Sequence, residues 1–497
     1  MSLENSVIRI FRHYLSRWSL MLLAMEAVVA TSAIYAGVAI RFSGLGHHDD
    51  IHGNMLLPRA LFFALVIVTS LAATGRYQRL MDEGFSGEVL NVGVSFVIGL
   101  VAMSMLFYVL PDMFIGRGAF GYALISCFFM ILLVRYLFFR YMLDLNVLKR
   151  RVIVFGTGDR ARMVAETVAH AAQSDCTIVG FWPVPGDVEQ VEREQIIWET
   201  LEIYEYAEKL NVGEIVVALD SPFPDLYMNE IQECKIRGIR IMDLLEFCER
   251  ERHIVHTDVM DVSWWVFHSE GLYREPWRES VKKIFDVCIS LILVLITWPL
   301  MALAGLAILI ESRWQGPIFY SQERVGFGGR IFSVLKFRSM HIDAEKDGVA
   351  RWASKNDERI TRVGGFIRKS RIDELPQFFN VLKGEMSLVG PRPERPEFVQ
   401  FLKNKIPYYS ERLRVKPGIT GWAQIRYGYG ASEEDAAEKL KYDLYYVKNH
   451  SLFLDLLVLI HTVEVVLFGQ GATGPKHQQG MHREWGRVTD HQNLGGR

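Results

Sequence analysis

Two adjacent carboxylates, Asp373 and Glu374, stand between a basic run, Arg368, Lys369, Ser370 and Arg371, and Leu375, Pro376 and Gln377, with Ile372 just before them. Cations and glycines flank them on both sides. Lys336 and Arg338 lie upstream, between Phe332 and Met340, and Arg392 lies downstream between Pro391 and Pro393, with Glu394 after it. Gly316, Arg324, Gly326, Arg362, Gly364, Lys416, Gly418 and Gly421 complete the set. Arginine forks and glycine-rich turns suit phosphate oxygens, so residues 314–425 outline an anion site with a carboxylate pair inside it. Taken alone, the pair also reads as the acidic first turn of a helix starting near Ser370 or Arg371. Taken alone, Arg392 also reads as a surface arginine in a rigid proline turn. The density of linked motifs favours chemistry for both.

The segment just before these motifs, Phe285–Ile310, is apolar and long enough to span a bilayer, with Lys282 and Lys283 before it and Glu311 and Arg313 after it. Pro299 falls near its middle, where a proline removes a hydrogen bond and kinks a helix. Each half then reaches only about 18–20 Å, short of a hydrocarbon core of roughly 30 Å. The expectation is a re-entrant helix over 284–311 that enters and leaves on one side, broken at Pro299; an ordinary kinked span is the alternative.

Apolar residues make up 50% of the 497-residue chain, against 23% charged, and the mean hydropathy is +0.14. They cluster. Four runs, at about 18–40, 56–74, 89–110 and 120–143, each match the thickness of a membrane and predict a four-helix transmembrane bundle over 1–150. Arg9, Arg12 and Arg17 precede the first run, Arg76 and Arg79 lie between the second and third, and Arg140, Lys149, Arg150 and Arg151 follow the fourth. That bias places both chain ends inside. No signal peptide is evident, because the first run is too long and lacks a small-residue cleavage site.

Residues 151–250 alternate strand and helix, with strands at 151–155, 177–182 and 214–219 and a weaker one at 238–242. This predicts a Rossmann-like α/β domain with a parallel sheet. Gly156, Thr157 and Gly158 open a turn like a dinucleotide fingerprint, but Ala161 replaces the last glycine and no acidic residue ends the next strand. A scaffold without a redox cofactor is the preferred reading. Residues 251–280 read as a linker whose Trp264, Trp265 and Trp277 suit a membrane interface. Leu452–Phe468 reads as an in-plane membrane helix or a core helix, and 471–497 as a disordered tail. The five cysteines lack the spacing of a zinc site or a disulfide framework. A net charge of −2 gives no sign of nucleic-acid binding.

From about 280 to 470 the motifs resemble, in order and spacing, those of the bacterial sugar transferase family, the monotopic phosphoglycosyl transferases. The whole chain looks like the large exopolysaccharide branch, in which four spans and a Rossmann-like domain precede the catalytic unit. Small members often carry Ser-Pro at the helix break; here the pair is Trp298-Pro299. The resemblance implies a monotopic α/β catalytic domain over 281–470. It implies transfer of a sugar-1-phosphate, expected to be a hexose-1-phosphate, from a UDP-sugar to undecaprenyl phosphate, initiating exopolysaccharide synthesis at the bacterial inner membrane. A catalytic domain using cytoplasmic nucleotide sugars must itself be cytoplasmic, which favours the re-entrant reading of 284–311. By the same resemblance Asp373 is the nucleophile and Glu374 helps to hold Mg2+. Arg368 and Arg392 lie near the substrate phosphates, and Lys336 and Arg338 join them more loosely. A homodimer through the added domain is a further expectation.

Other activities are poorly supported. A nucleotide-sugar dehydratase or epimerase needs a sound fingerprint and a Tyr-x-x-x-Lys pair, and a conventional metal-dependent glycosyltransferase needs Asp-x-Asp; neither motif occurs. A non-catalytic membrane scaffold for polysaccharide assembly is the remaining alternative. It gives no reason for the carboxylate pair and the arginines to stand together.

Overall fold

The computed structural model describes residues 7–10, 13–42, 56–73, 84–114, 116–143, 149–170, 176–198, 202–221, 225–268, 276–342, 344, 359–428 and 432–468. Contacts divide the chain into two units, Met1–His256 and Thr257–Arg497. The expected tail, 471–497, and the basic loop with Arg76 and Arg79 lie outside the described residues.

The first unit opens on a short antiparallel hairpin, β1 (Val7–Ile10) with β2 (His13–Ser16). Four apolar helices follow: α1 (Arg17–Phe42), α2 (Leu56–Ala73), α3 (Gly84–Val109) and α4 (Arg117–Leu143). Within them Leu20–Phe42, Val92–Val109 and Arg117–Phe138 are long and apolar enough to cross a membrane. The 18 residues of α2 give about 27 Å, at the short end of the range for a span. Ile34, Phe63, Ile67, Val92, Phe96 and Cys127 fill the space between the helices. Among them Arg135 Nε meets Glu26 Oε1 at 2.5 Å with both side chains buried, so the charges compensate each other in an apolar setting.

The same unit carries a parallel sheet in the order β4-β3-β5-β6. Its strands are β3 (Arg150–Phe155), β4 (Cys176–Trp182), β5 (Glu214–Val217) and β6 (Arg240–Asp243). Helices α5 (Asp159–His170), α6 (Ile203–Lys209) and α7 (Met228–Ile236) connect them, and α8 (Leu244–Arg252) follows β6. Val152 to Phe155 are all buried, as the short β-branched run requires of a central strand in a parallel sheet.

In the second unit α9 (Val262–His268) precedes α10 (Pro276–Glu311). The stretch expected to be an interfacial linker is thus partly folded. Trp264 and Trp265 are buried: Trp265 Nε1 donates to Glu411 at 2.9 Å, and the Lys448 ammonium lies 4.1 Å from the Trp264 ring centre. Trp277 stays exposed at the start of α10.

The helix expected to break at Pro299 instead runs on from Pro276 to Glu311, with the proline inside it. Pro299 still removes one backbone donor, but packing on both sides of it continues along one face. Asp286, Ser290, Met301, Ala304, Gly305 and Ile308 are buried, at helical spacing, whereas no residue from 291 to 300 is. By length and composition α10 is also apolar enough to cross a membrane.

Beyond it come the hairpin β7 (Phe319–Val325) and β8 (Ile331–Phe337), then α11 (Arg362–Lys369), a 3-10 turn at Ile372–Glu374 and α12 (Gln377–Lys383). Strand β9 (Ser387–Val389) pairs in parallel with β10 (Gly418–Thr420). Between these two lie α13 (Pro396–Lys405) and a 3-10 turn at Tyr409–Arg414. The unit closes with α14 (Trp422–Arg426), α15 (Glu433–Asn449) and α16 (Leu452–Phe468). Leu454, Asp455 and Val458 turn one face of α16 inward, while Leu452, Leu456 and Val463 are exposed.

Candidate active site

The carboxylate pair is placed by a local reversal of the chain. Helix α11 starts at a Thr361 cap, whose side chain accepts from Gly364 N, and ends at Ser370. Arg371 then adopts φ 59°, a left-handed conformation uncommon outside glycine, and the 3-10 turn that follows carries Asp373 and Glu374. The acidic residues therefore occupy a tight turn of their own, ahead of α12. Ile372 anchors the turn in an apolar cluster with Met301, Ala304 and Ile308 of α10 and Phe337 of β8.

Strand β8 delivers Lys336. Asn380 on α12 fixes the strand: its Oδ1 accepts from Leu335 N at 3.0 Å and its Nδ2 donates to Ser333 O at 2.8 Å. Lys336 Nζ then reaches Glu374 Oε1 at 3.0 Å. Arg392 arrives from a separate segment of the chain. Strand β9 leads into Gly390, whose N–H donates to Thr420 O at 2.9 Å, while Gly418 N–H donates to Pro391 O at 3.0 Å. The two glycines are in backbone contact, since a Cβ on Gly418 would meet Gly390 N at 2.1 Å. That closeness is the physical reason for glycine in both the Gly390-Pro391-Arg392-Pro393 and the Lys416-Pro417-Gly418 segments. Arg392 Nη2 donates to Glu374 Oε1 at 2.8 Å and Nη1 to Gln424 Oε1 at 3.0 Å.

One oxygen of Glu374 thus accepts from both Lys336 and Arg392, and Arg371 Nη1 stands 3.7 Å from the other. Burial works to raise this carboxyl, but Arg392, Lys336 and Arg371 hold it well below the usual range. Asp373 goes the other way. Burial and the charge on Glu374 push it up, and Lys336, Arg368 and Arg371 oppose them in part. Burial also lowers Lys336. Among the described residues no hydrogen bond reaches the Asp373 carboxylate, so a buried carboxylate sits beside a second one that is held ionised.

Of the residues singled out in the sequence, Asp373, Glu374, Lys336 and Arg392 come together, and Arg368 is close enough to act on Asp373 electrostatically. Arg338 is engaged elsewhere: both of its terminal nitrogens donate to Gln315 O at 3.0 Å, in the turn after α10. Sequence reading passed over Gln424, Asn380 and Arg371 as site residues. Arg371 directly precedes the acidic turn and was available as a signal; the two amides gave none. A crevice lined by Val325, Gly326, Arg392, Glu394, Arg412 and Pro417 opens beside Arg392.

The α/β sheet offers a different picture at its glycine turn. Asp159 N and Arg160 N, the free amides at the start of α5, both donate to the Asp220 carboxylate, at 2.6 and 3.0 Å. Thr157 N donates to Asp187 at 3.3 Å. The donors that would face a phosphate at such a turn are directed at the chain's own carboxylates.

A membrane-associated α/β unit with a carboxylate pair among arginines and lysine defines the class. A family model described as bacterial sugar transferase matches residues 277–469. Over 202 residues the chain is 48% identical to a UDP-N-acetylgalactosamine-undecaprenyl-phosphate N-acetylgalactosaminephosphotransferase of Aeromonas hydrophila, covering 41% of this chain and 47% of that relative. Over 407 residues it is 29% identical to a UDP-glucose:undecaprenyl-phosphate glucose-1-phosphate transferase of Xanthomonas campestris pv. campestris, covering 79% of this chain and 82% of the relative. Over 354 residues it is 30% identical to an undecaprenyl-phosphate galactose phosphotransferase of Salmonella typhimurium, covering 66% and 70%. The chain belongs to the bacterial sugar transferase family. The stretch shared with the Aeromonas relative spans less than half of that protein's length.

Proposed function

We propose that this protein moves a sugar-1-phosphate, with a hexose as the sugar, from a UDP-sugar to undecaprenyl phosphate through a covalent intermediate on Asp373. The observation that carries this reading is the asymmetric pair: a buried Asp373 carboxylate free of hydrogen bonds among the described residues, beside a Glu374 fixed by Lys336 and Arg392. A carboxylate without hydrogen bonds keeps its lone pairs for attack, and a covalent route divides one displacement into two. An oxygen of Asp373 attacks the β-phosphorus, the bridging P–O bond breaks and its electron pair leaves with UMP. An oxygen of undecaprenyl phosphate then attacks the same phosphorus, releasing the Asp373 carboxylate and forming a pyrophosphate link to the lipid. Arg392 and Arg368 oppose the charge of the donor phosphates. Lys336 and Arg392 keep Glu374 ionised and in place.

Mg2+ is usually held by one or two carboxylates together with substrate phosphate oxygens. The oxygen of Glu374 not shared by Lys336 and Arg392, and the Asp373 carboxylate, fit that donor type. Among the described residues no group of three metal-binding side chains occurs, so an ion here would depend on the donor's oxygens. When bound, it would neutralise charge between nucleophile and pyrophosphate.

The membrane geometry supports the same reading. Both ends of the exposed stretch 291–300 lie against one folded unit. Asp286 accepts from Leu388 N at 3.4 Å on one side, and Met301, Ala304 and Ile308 pack on Phe337 and Ile372 on the other. The stretch between them rises about 15 Å, half of a hydrocarbon core. A bend at Pro299, kinking the helix without ending it, would turn this stretch inside one leaflet from the cytoplasmic face and accounts for this packing, with the site beside nucleotide sugars.

Mass spectrometry of the enzyme incubated with donor and no acceptor tests the mechanism. A single sugar-phosphate adduct on the peptide containing Asp373, with UMP released, is expected. Sequential kinetics without an adduct, or a fully active Asp373→Asn enzyme, would favour direct transfer. A panel of UDP-sugars scored by UMP release identifies the sugar.

A further inference from the structure

Arg392 is fastened at its guanidinium by Glu374 and Gln424, but a side chain between two prolines is aimed chiefly by its backbone. Pro391 and Pro393 fix their own φ angles, so the orientation of the Arg392 peptide largely decides where the guanidinium lands. That peptide is held by Arg412. Arg412 Nη2 donates to Arg392 O at 2.9 Å and lies 2.8 Å from Asp443 Oδ2, and its Nη1 donates to Tyr409 OH at 2.7 Å. Arg412 is buried in the 3-10 turn, and Asp443 is buried on α15. One guanidinium thus joins three elements at the carbonyl of the residue that grips Glu374.

We propose that Arg412 and Asp443 form a positioning pair that holds the Arg392 backbone so that its guanidinium meets Glu374. Neither residue is assigned contact with a substrate. The neighbouring ties act on other residues: Arg324 Nη1 donates to Pro393 O at 3.2 Å, and Val325 N donates to Glu394 O at 2.9 Å. Arg412 alone among these is directed at Arg392 itself. The seat calls for a planar fork with donors in fixed directions, which a lysine ammonium does not supply. Asp443 compensates a guanidinium that is out of water. The catalytic consequence rests on the transfer reading above; the geometric claim does not.

The test uses the full-length protein in detergent or nanodiscs, as wild type, Arg412→Lys and Asp443→Asn. Asp443→Asn keeps the shape and removes the counter-charge, and decides the matter if Arg412→Lys fails to fold. Two quantities are read: hydrogen exchange of the peptide spanning 387–395, and kcat and donor KM from UMP release. Expected are faster exchange confined to 387–395 and a kcat lower by about 100-fold for Arg412→Lys, with donor KM nearly unchanged. Unchanged exchange at 387–395 in a folded variant overturns the proposal. So does a loss of rate that only follows the folded fraction, with exchange raised throughout. Asp373→Asn is assayed alongside. If it is as active as wild type, the transfer reading fails, and the exchange result alone still decides whether Arg412 positions Arg392.

Discussion

Arg392 donates to Glu374 across 2.8 Å, although a helix and a strand separate the two residues along the chain. Lys336 donates to the same oxygen, so the carboxylate is held by two cations, while no hydrogen bond among the described residues reaches the Asp373 carboxylate next to it. The adjacent acids are therefore shifted in opposite directions and titrate apart, which makes the site testable by titration.

Glu374 contributes to stability in one direction of pH. Its carboxyl is held well below the usual glutamate value, about 4.3, because of its cationic partners. The contribution is present in full above that usual value and is lost as pH falls through the lower folded one. Thermal unfolding of wild type should therefore worsen on acidification from about pH 5 toward 3 more steeply than that of Glu374→Gln. At neutral pH the variant should be destabilised by roughly 1.5–3 kcal/mol, since the part-buried Lys336 and Arg392 lose the carboxylate oxygen they share. Parallel pH slopes would contradict the assignment.

Asp373 is displaced upward, by burial and by the charge on Glu374. As pH falls through its raised value the carboxylate becomes protonated and attack stops. The acid limb of single-turnover UMP release should lie above the ordinary aspartate value, about 3.9. Keeping this group ionised at neutral pH works against folding, so Asp373→Asn should unfold at the same temperature or a higher one. Its transfer rate should drop by at least about 1,000-fold. An acid limb at or below the ordinary value would count against Asp373 as the nucleophile.

Arg338 should separate from Lys336 and Arg392 in mutagenesis. Both of its terminal nitrogens are directed at Gln315 O. Arg338→Ala is expected to lower stability by about 1 kcal/mol at most, because its bonds to Gln315 O are exposed to water, with donor KM unchanged. Lys336→Met should instead lower kcat. Donor titrations of the two purified variants give the comparison, and a large rise in donor KM for Arg338→Ala would place it at the phosphates after all.

The side of the membrane is open to direct labelling. Cysteines introduced near position 275 and at Arg330, on either side of α10, should both be protected from an impermeant thiol reagent in sealed cells and both react after permeabilisation. Reaction at position 330 from outside would mean that α10 crosses.

The parallel sheet was legible because its signals are local. A short run of buried β-branched residues, a glycine turn and an amphipathic helix identify each unit within a few residues of where it forms, and β4 begins only one residue earlier than expected. The carboxylates, Lys336 and Arg392 were legible as motifs. Partners that depend on distant chain were not. Gln424 becomes a site residue only because the short β9–β10 pairing brings it to Arg392, and Asn380 only because α12 lies across β8. Trp264 and Trp265 suggested an interface by their type, yet both are buried and engaged by residues far along the chain, Lys448 on Trp264 and Glu411 on Trp265. Pro299 signalled a break, but side-chain packing along a helix face is not written in the proline, and the helix continues.

The glycine turn of the α/β sheet has an evolutionary corollary. A Cβ on Gly158 would lie 1.9 Å from an Asp220 oxygen, so any larger residue collides with the carboxylate that caps α5. The glycine is thus required by a residue of the same chain, whatever the sheet binds. The two positions are epistatic, and the order of change matters. Gly158→Ala in the present background forces the Asp220 side chain out of its seat, whereas with alanine at 220 the same change no longer meets the carboxylate and leaves the residue-220 Cβ at an ordinary contact of 3.6 Å. Position 220 is therefore the permissive site, and variation at 158 must wait for it.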